Sequence, residues 1–275
     1  MRVPGIALAL VLSAGPAFAS PGPTDAEILA FAEESFSQGV NLRDDSRKAR
    51  SAFAQSATGY DELWQRGHRN PKLALNRAHS HRLAGNLPAA IVALNEGIAV
   101  SPWNRSLQLA LEDARNAVAY PLTGDLVTQC RPPATVGIST RMSPIEAWVI
   151  AGLMWLLACG GVARFAMTRR PAWLLWGVVC VVGLAVLGSA WWQDSRERQH
   201  AKEATSVVLA HDVVLRKGNA STYPARLDAK LPRGVEARKL VERGGWIQLQ
   251  LAGGIVGWVP ASAVLGLREL EEPQL

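Results

Sequence analysis

Four regimes of hydrophobic and polar patterning follow one another along the chain. Behind Arg2, an apolar run over residues 6–14 leads to Ala17-Phe18-Ala19, a small-x-small triplet. The run is too short to span a bilayer, and the two features together predict a cleavable signal peptide over residues 1–19. Over residues 24–120 apolar positions recur at three and four, broken at Gly39, Gly67, Asn70-Pro71, Gly85-Asn86 and Ser101-Pro102. This spacing predicts paired amphipathic helices. Residues 147–163 and 171–193 then contain no Asp, Glu, Lys or Arg. At roughly 1.5 Å per residue each is long enough as a helix to cross most or all of a ~30 Å hydrocarbon layer. They predict transmembrane helices over 145–167 and 172–192, joined by a loop at 168–171.

Past a mixed-charge helix or linker at 193–205, the period shortens to two. Strands are predicted over 206–209, 213–216, 225–231, 235–242, 246–251 and 255–260, with turns at Gly244-Gly245 and Gly253-Gly254. So many short strands in residues 206–267 predict a small barrel, with 121–144 as a linker and 268–275 as a tail. The expected fold class is therefore multidomain: an all-α helical repeat domain, a two-helix transmembrane hairpin and a small all-β barrel.

The formal net charge of +6 suggests a nucleic-acid footprint until it is divided by segment. Residues 20–143 hold 13 Lys/Arg against 12 Asp/Glu, and residues 193–275 hold 12 against 10, so neither polar part is strongly basic. Nucleic acid is excluded as a partner on this balance. What remains is Arg2 with Arg164, Arg169 and Arg170, offset by Glu146. Three arginines in a short connection between two apolar helices place that connection in the cytoplasm. Both flanking domains then face outward, as the signal peptide independently requires. Trp148, Trp173, Trp176, Trp191 and Trp192 fit rings placed toward the membrane interfaces, whereas Trp155 is deep enough to be helix packing. Of three cysteines, Cys159 and Cys180 fall inside the apolar stretches as small packing residues, and Cys130 alone lies outside, so no disulfide framework, CxxC motif or zinc spacing is available.

One helical pair, residues 71–104, is written as a 34-residue unit. Small residues Ala78, Ala90 and Gly97 fall where two helices must approach, Leu73, Leu83, Leu87, Ile91 and Leu94 form the inner seam, and Pro102 ends the second helix. The unit resembles a tetratricopeptide repeat, with His81 where tyrosine is usual and Leu94 where phenylalanine is usual. A more degenerate unit over 31–67 contributes Phe36, Phe53, Tyr60 and Trp64 to the same core, and residues 107–118 form a closing helix. A short solenoid of this kind has a concave face for a protein segment. Asn76, Arg77 and Arg105 are its candidate polar contacts, or else ordinary solvated helix residues. His79 and His81, two apart on a helix, point away from each other and do not make a metal pair.

The β region carries Val213-Val214-Leu215-Arg216-Lys217-Gly218, Leu231-Pro232-Arg233-Gly234-Val235, Gly245-Trp246-Ile247 and Gly257-Trp258-Val259-Pro260 in order. These segments resemble a bacterial SH3 domain, a family whose members commonly bind cell-wall peptides or protein segments. Trp246 and Trp258 are either a recognition surface or the core of so small a barrel, and Tyr223 is expected to be exposed. Arg233, Arg238, Lys239 and Arg243 either face an anionic wall polymer or form a solvated face.

No Ser/His/Asp set, carboxylate pair in an apolar setting, phosphate-cradling loop or metal-ligand cluster is written in the chain, so neither enzyme activity nor a cofactor is expected. The order of signal peptide, tetratricopeptide-like repeats, two membrane helices with an arginine loop and terminal SH3-like domain resembles the BatE-type membrane proteins of aerotolerance (Bat) operons. That resemblance implies a bacterial inner-membrane protein with both soluble domains in the periplasm. It implies von Willebrand A domain membrane proteins and a MoxR-type AAA ATPase system as partners, with a role in envelope-stress tolerance. The expectation is a scaffold holding protein partners near the bilayer, the other reading being a tether in which the SH3-like domain binds peptidoglycan.

Overall fold

The computed structural model describes residues 22–120, 129–132, 144–203 and 206–266. The expected signal peptide, most of the 121–144 linker and the 268–275 tail lie outside the described residues. Five helices come first: α1 (Asp25–Asn41), α2 (Ser46–Gln65), α3 (Pro71–Leu83), α4 (Leu87–Val100) and α5 (Arg105–Asn116). Each begins where a short polar side chain can accept from the first-turn amides. Thr24 and Glu27 form a capping box on α1, and Asp45, Asn70, Asn86 and Asn104 accept from Lys48, Leu73, Ala89 and Leu107 respectively. The helices pack in sequence as antiparallel neighbours, α1 on α2, α2 on α3 and α3 on α4, with α5 closing over α3 and α4.

The apolar spacing places Phe53, Tyr60, Trp64, Leu73, Ile91, Leu94, Leu107 and Leu111 inside. Phe36 meets Phe53 edge-on with ring centroids 5.3 Å apart. Leu83 departs from the expected seam: at the last position of α3, beyond the reach of α4, it is 42% exposed. Gly97 shows why a small residue stands in the second helix of the repeat, because a Cβ there would lie 2.6 Å from the Ala74 Cβ. Gly97→Leu is expected to force α3 and α4 apart and to destabilise the helical array by about 1–3 kcal/mol, read from its thermal unfolding.

Two apolar helices follow, α6 (Pro144–Thr168) and α7 (Pro171–Glu203). Residues 145–168 and 171–193 have mean hydropathies of 1.8 and 2.1, with 11% of each window buried. They are long and apolar enough to cross a bilayer, and their exposed apolar surface is of the kind that lipid would cover. Only Arg169 and Arg170 separate them, Arg169 taking the reversal at φ 51°. Arg164 is on α6 one turn before its end, within the helix bounds expected, with its guanidinium 5.9 Å from the Trp173 ring. The 193–205 segment, read as helix or linker, is helix for most of its length, since α7 continues unbroken to Glu203, three positions before the first strand.

The remaining elements are β1 (Ser206–Leu209), β2 (Glu236–Arg243), β3 (Trp246–Gln250), β4 (Val256–Pro260), a 3₁₀ turn (Ala261–Ala263) and β5 (Val264–Gly266). They form an antiparallel five-stranded sheet in the order β4-β3-β2-β1-β5. Two expected strands are not continuous. Residues 213–216 and 225–231 meet only as isolated bridges, Val213 to Leu231 and Arg216 to Ala225, because the reversal between them ends on Pro224, which has no N–H for a ladder. Buried in this part of the chain are Val207, Val208 and Leu209 of β1, Ile247 and Leu249 of β3, Val259 of β4, and Leu215 and Leu231 from the segment before β2. These belong to one apolar cluster that continues without interruption into the helical array.

Candidate functional site

Alternation along β3 and β4 decides which side chains the sheet offers to solvent. Ile247, Leu249, Gly257 and Val259 point inward, leaving Trp246, Gln248, Trp258 and Pro260 outward and half-buried. Register sets Trp246 opposite Pro260 and Gln248 opposite Trp258, so the two tryptophans are diagonal neighbours on one face. On the other flank Arg243 pairs with Trp246 and Val241 with Gln248, extending the face across β2. Beyond β4, the Arg216 backbone exchanges both hydrogen bonds with Trp258 at 2.9 Å, and its guanidinium donates to the Tyr223 carbonyl at 2.7 Å. Tyr223 itself is 47% exposed, as expected. The arrangement is a shallow aromatic ridge with an amide and a cation beside it, suited to an extended peptide or a sugar ring. Trp246 and Trp258 are half-buried on the outer face of the sheet and are not among the residues of its core.

The four basic residues considered as an anionic-polymer site do not come together. Arg238 and Arg243 stand near opposite ends of β2, about 17 Å apart at ~3.4 Å per residue. Lys239 is spent on Glu242 at 2.7 Å, and Arg233 lies on a different segment, before β2.

In the helical array, Arg77 projects from α3 between Asp61 of α2 and Glu96 of α4, pairing with both, and its guanidinium lies 5.5 Å from the Trp64 ring centre. His81 adds a contact to the same Asp61 at 3.0 Å. Burial by itself would raise the Asp61 carboxyl, but the His81 hydrogen bond and the Arg77 charge outweigh it and hold the group below its usual range. Arg77 is likewise held above its ordinary value by Glu96 and Asp61 despite its burial. It therefore ties three helices together and has no free face for a ligand. Asn76 is half-buried on α3, and Arg105 is exposed at the start of α5. The structure does not bring these three into one contact surface. The buried network was missed in the sequence, although Glu96, the lone charge in the apolar run of α4, was its signal.

A second polar centre lies where the sheet meets the helices. Glu236, at the start of β2, accepts from Arg115 Nε at 2.6 Å, from Arg115 Nη2 at 3.1 Å and from Asn95 Nδ2 at 2.7 Å. Arg115 and Glu236 are each only 9% exposed. Around this pair the contact is apolar. A Cβ on Gly234, whose φ of +90° already favours glycine, would lie 3.0 Å from Val118 and 3.3 Å from Ile91. The Tyr120 hydroxyl is buried nearby with no hydrogen-bond partner among the described residues, and burial followed by the Glu236 charge pushes its pKa up to about 12. At a further point of the seam the Gly253 N–H donates to the Gln129 carbonyl at 2.7 Å. The helical array and the sheet are thus one packed body. No protein-family model matches the chain, and neither a curated protein nor a solved structure matches it.

Proposed function

We infer that the chain is a non-enzymatic membrane-anchored adaptor of the BatE type, with tetratricopeptide-like and SH3-like parts on the outer face of a bacterial inner membrane. The observation that carries this reading is the single apolar cluster shared by helices and sheet, in a body joined directly to the apolar hairpin. Such a body holds a bound partner at a fixed place beside the bilayer, which raises its local concentration there. Capped antiparallel helix pairs with a Gly97–Ala74 close approach support the repeat resemblance. A five-stranded antiparallel sheet with a 3₁₀ turn before its last strand supports the SH3 resemblance. Arg164, Arg169 and Arg170 at one end of the hairpin support a cytoplasmic turn, leaving both parts outside. The partners proposed are von Willebrand A domain membrane proteins and a MoxR-type AAA ATPase system. The second reading, a peptidoglycan tether, is favoured by the outward ridge of Trp246 and Trp258.

Cross-linked co-purification of the full-length protein from native membranes, with mass spectrometry, tests the two. Because deleting the sheet would strip Val118, Ile91 and Arg115 of their cover, the comparison form is Trp246→Ser/Trp258→Ser. Recovery of von Willebrand A partners with both forms is expected. Wall fragments with the intact ridge alone, and no protein partner, would overturn the adaptor reading in favour of the tether.

A further inference from the structure

The packing of sheet against helices leaves a cleft of about 550 Å³ at their junction. Its size falls within the range of ligand pockets, and junctions between packed units are where such pockets concentrate. The seam is open here because the side chains that would fill it are short: Ala117 and Ala119 follow α5 on one wall, and Ala229 stands on the other. Leu87 and Pro232 supply an apolar floor. Lys230 and Arg233 line the cleft from the sheet side and are exposed, with no ion-pair partner among the described residues. The acid that lines it, Asp212, is already engaged, accepting from the Arg233 backbone N–H at 2.8 Å.

We propose that this cleft is a second binding site, which takes a peptide segment combining apolar and acidic side chains. The floor receives the apolar side chain, and Lys230 and Arg233 meet the carboxylates, a pairing that is charge-assisted and weakened by salt. The site exists only because the two units are packed together. It lies apart from the aromatic ridge, and it holds or fails independently of which partner that ridge takes.

The test uses the full-length protein in nanodiscs of zwitterionic lipid and fluorescein-labelled peptides Gly-Ser-Leu-Xaa-Ala-Xaa-Leu-Gly-Ser, with Xaa as Glu, Gln or Lys. Fluorescence anisotropy is expected to show the Glu peptide binding about tenfold or more tightly than the Gln peptide, the Lys peptide not binding, and affinity falling as salt rises. K230E/R233E, at exposed positions, and Ala229→Trp, which fills the cleft, are each expected to remove at least about tenfold of that affinity. Ridge variant Trp246→Ser/Trp258→Ser is expected to bind the Glu peptide as the wild type does. Equal binding of the three peptides, binding by none, or binding unchanged in K230E/R233E would overturn the proposal.

Discussion

Arg115→Ala is expected to lower the stability of the extramembrane body by about 3–5 kcal/mol, the usual cost of leaving one member of a buried ion pair behind. Among the described residues, Glu236 would retain only the Asn95 amide in a setting where it is 9% exposed. Glu236→Ala is expected to cost a similar amount, because the Arg115 guanidinium would be stranded in the same way. The swap Arg115→Glu/Glu236→Arg is expected to recover part of the loss, and that recovery separates the pair's own interaction from general disruption. Chemical denaturation with tryptophan fluorescence gives the free energy, and amide hydrogen exchange at α4, α5 and β2 locates it. A change below about 1 kcal/mol with those amides still protected would place the pair in the range of surface ion pairs and refute the seam.

Trp64→Ala is the second large effect. The ring is 4% exposed within the helical core, and a truncation of this size costs about 3–5 kcal/mol through lost contacts and the remaining cavity. It also removes the surface beneath Arg77, loosening the link to Asp61 and Glu96. Trp64→Phe, which keeps an aromatic face under the guanidinium, is expected to lose less than half as much. Equal losses for the two substitutions in thermal unfolding would show that the ring contributes volume alone.

What the sequence made legible was local. The breaks at Asn70-Pro71, Gly85-Asn86 and Ser101-Pro102 bound two helices, and Gly97 marks their close approach, so one repeat over 71–104 could be placed from its own residues. Long uncharged runs placed α6 and α7 within two residues of their bounds, apart from the polar extension of α7 to Glu203. Period-two alternation found β1 to β4, whereas the three residues of β5 were too few for any period to register. The ridge was half legible. Trp246 and Trp258 were named, but whether they faced in or out depended on the register of β3 against β4.

The seam between helices and sheet was not legible, for a physical reason. Arg115 and Glu236 are 121 positions apart and each looks like a surface charge. Only the chain's return through the hairpin brings them together, and no local period records such a contact. The same holds for the cleft, whose alanines carry no signal until the walls around them exist.

The central claim is that both polar parts lie on the outer side of one membrane while the hairpin turn lies inside. Single cysteines at Arg105, Tyr223 and Arg169, in a chain with Cys130, Cys159 and Cys180 replaced by serine or alanine, report on this in sealed membrane vesicles of known orientation. A membrane-impermeant maleimide applied from the outer side is expected to label positions 105 and 223 at once, and position 169 only after the membrane is opened. Labelling of position 169 from outside, or protection of 105 and 223 on opposite sides, would contradict the account.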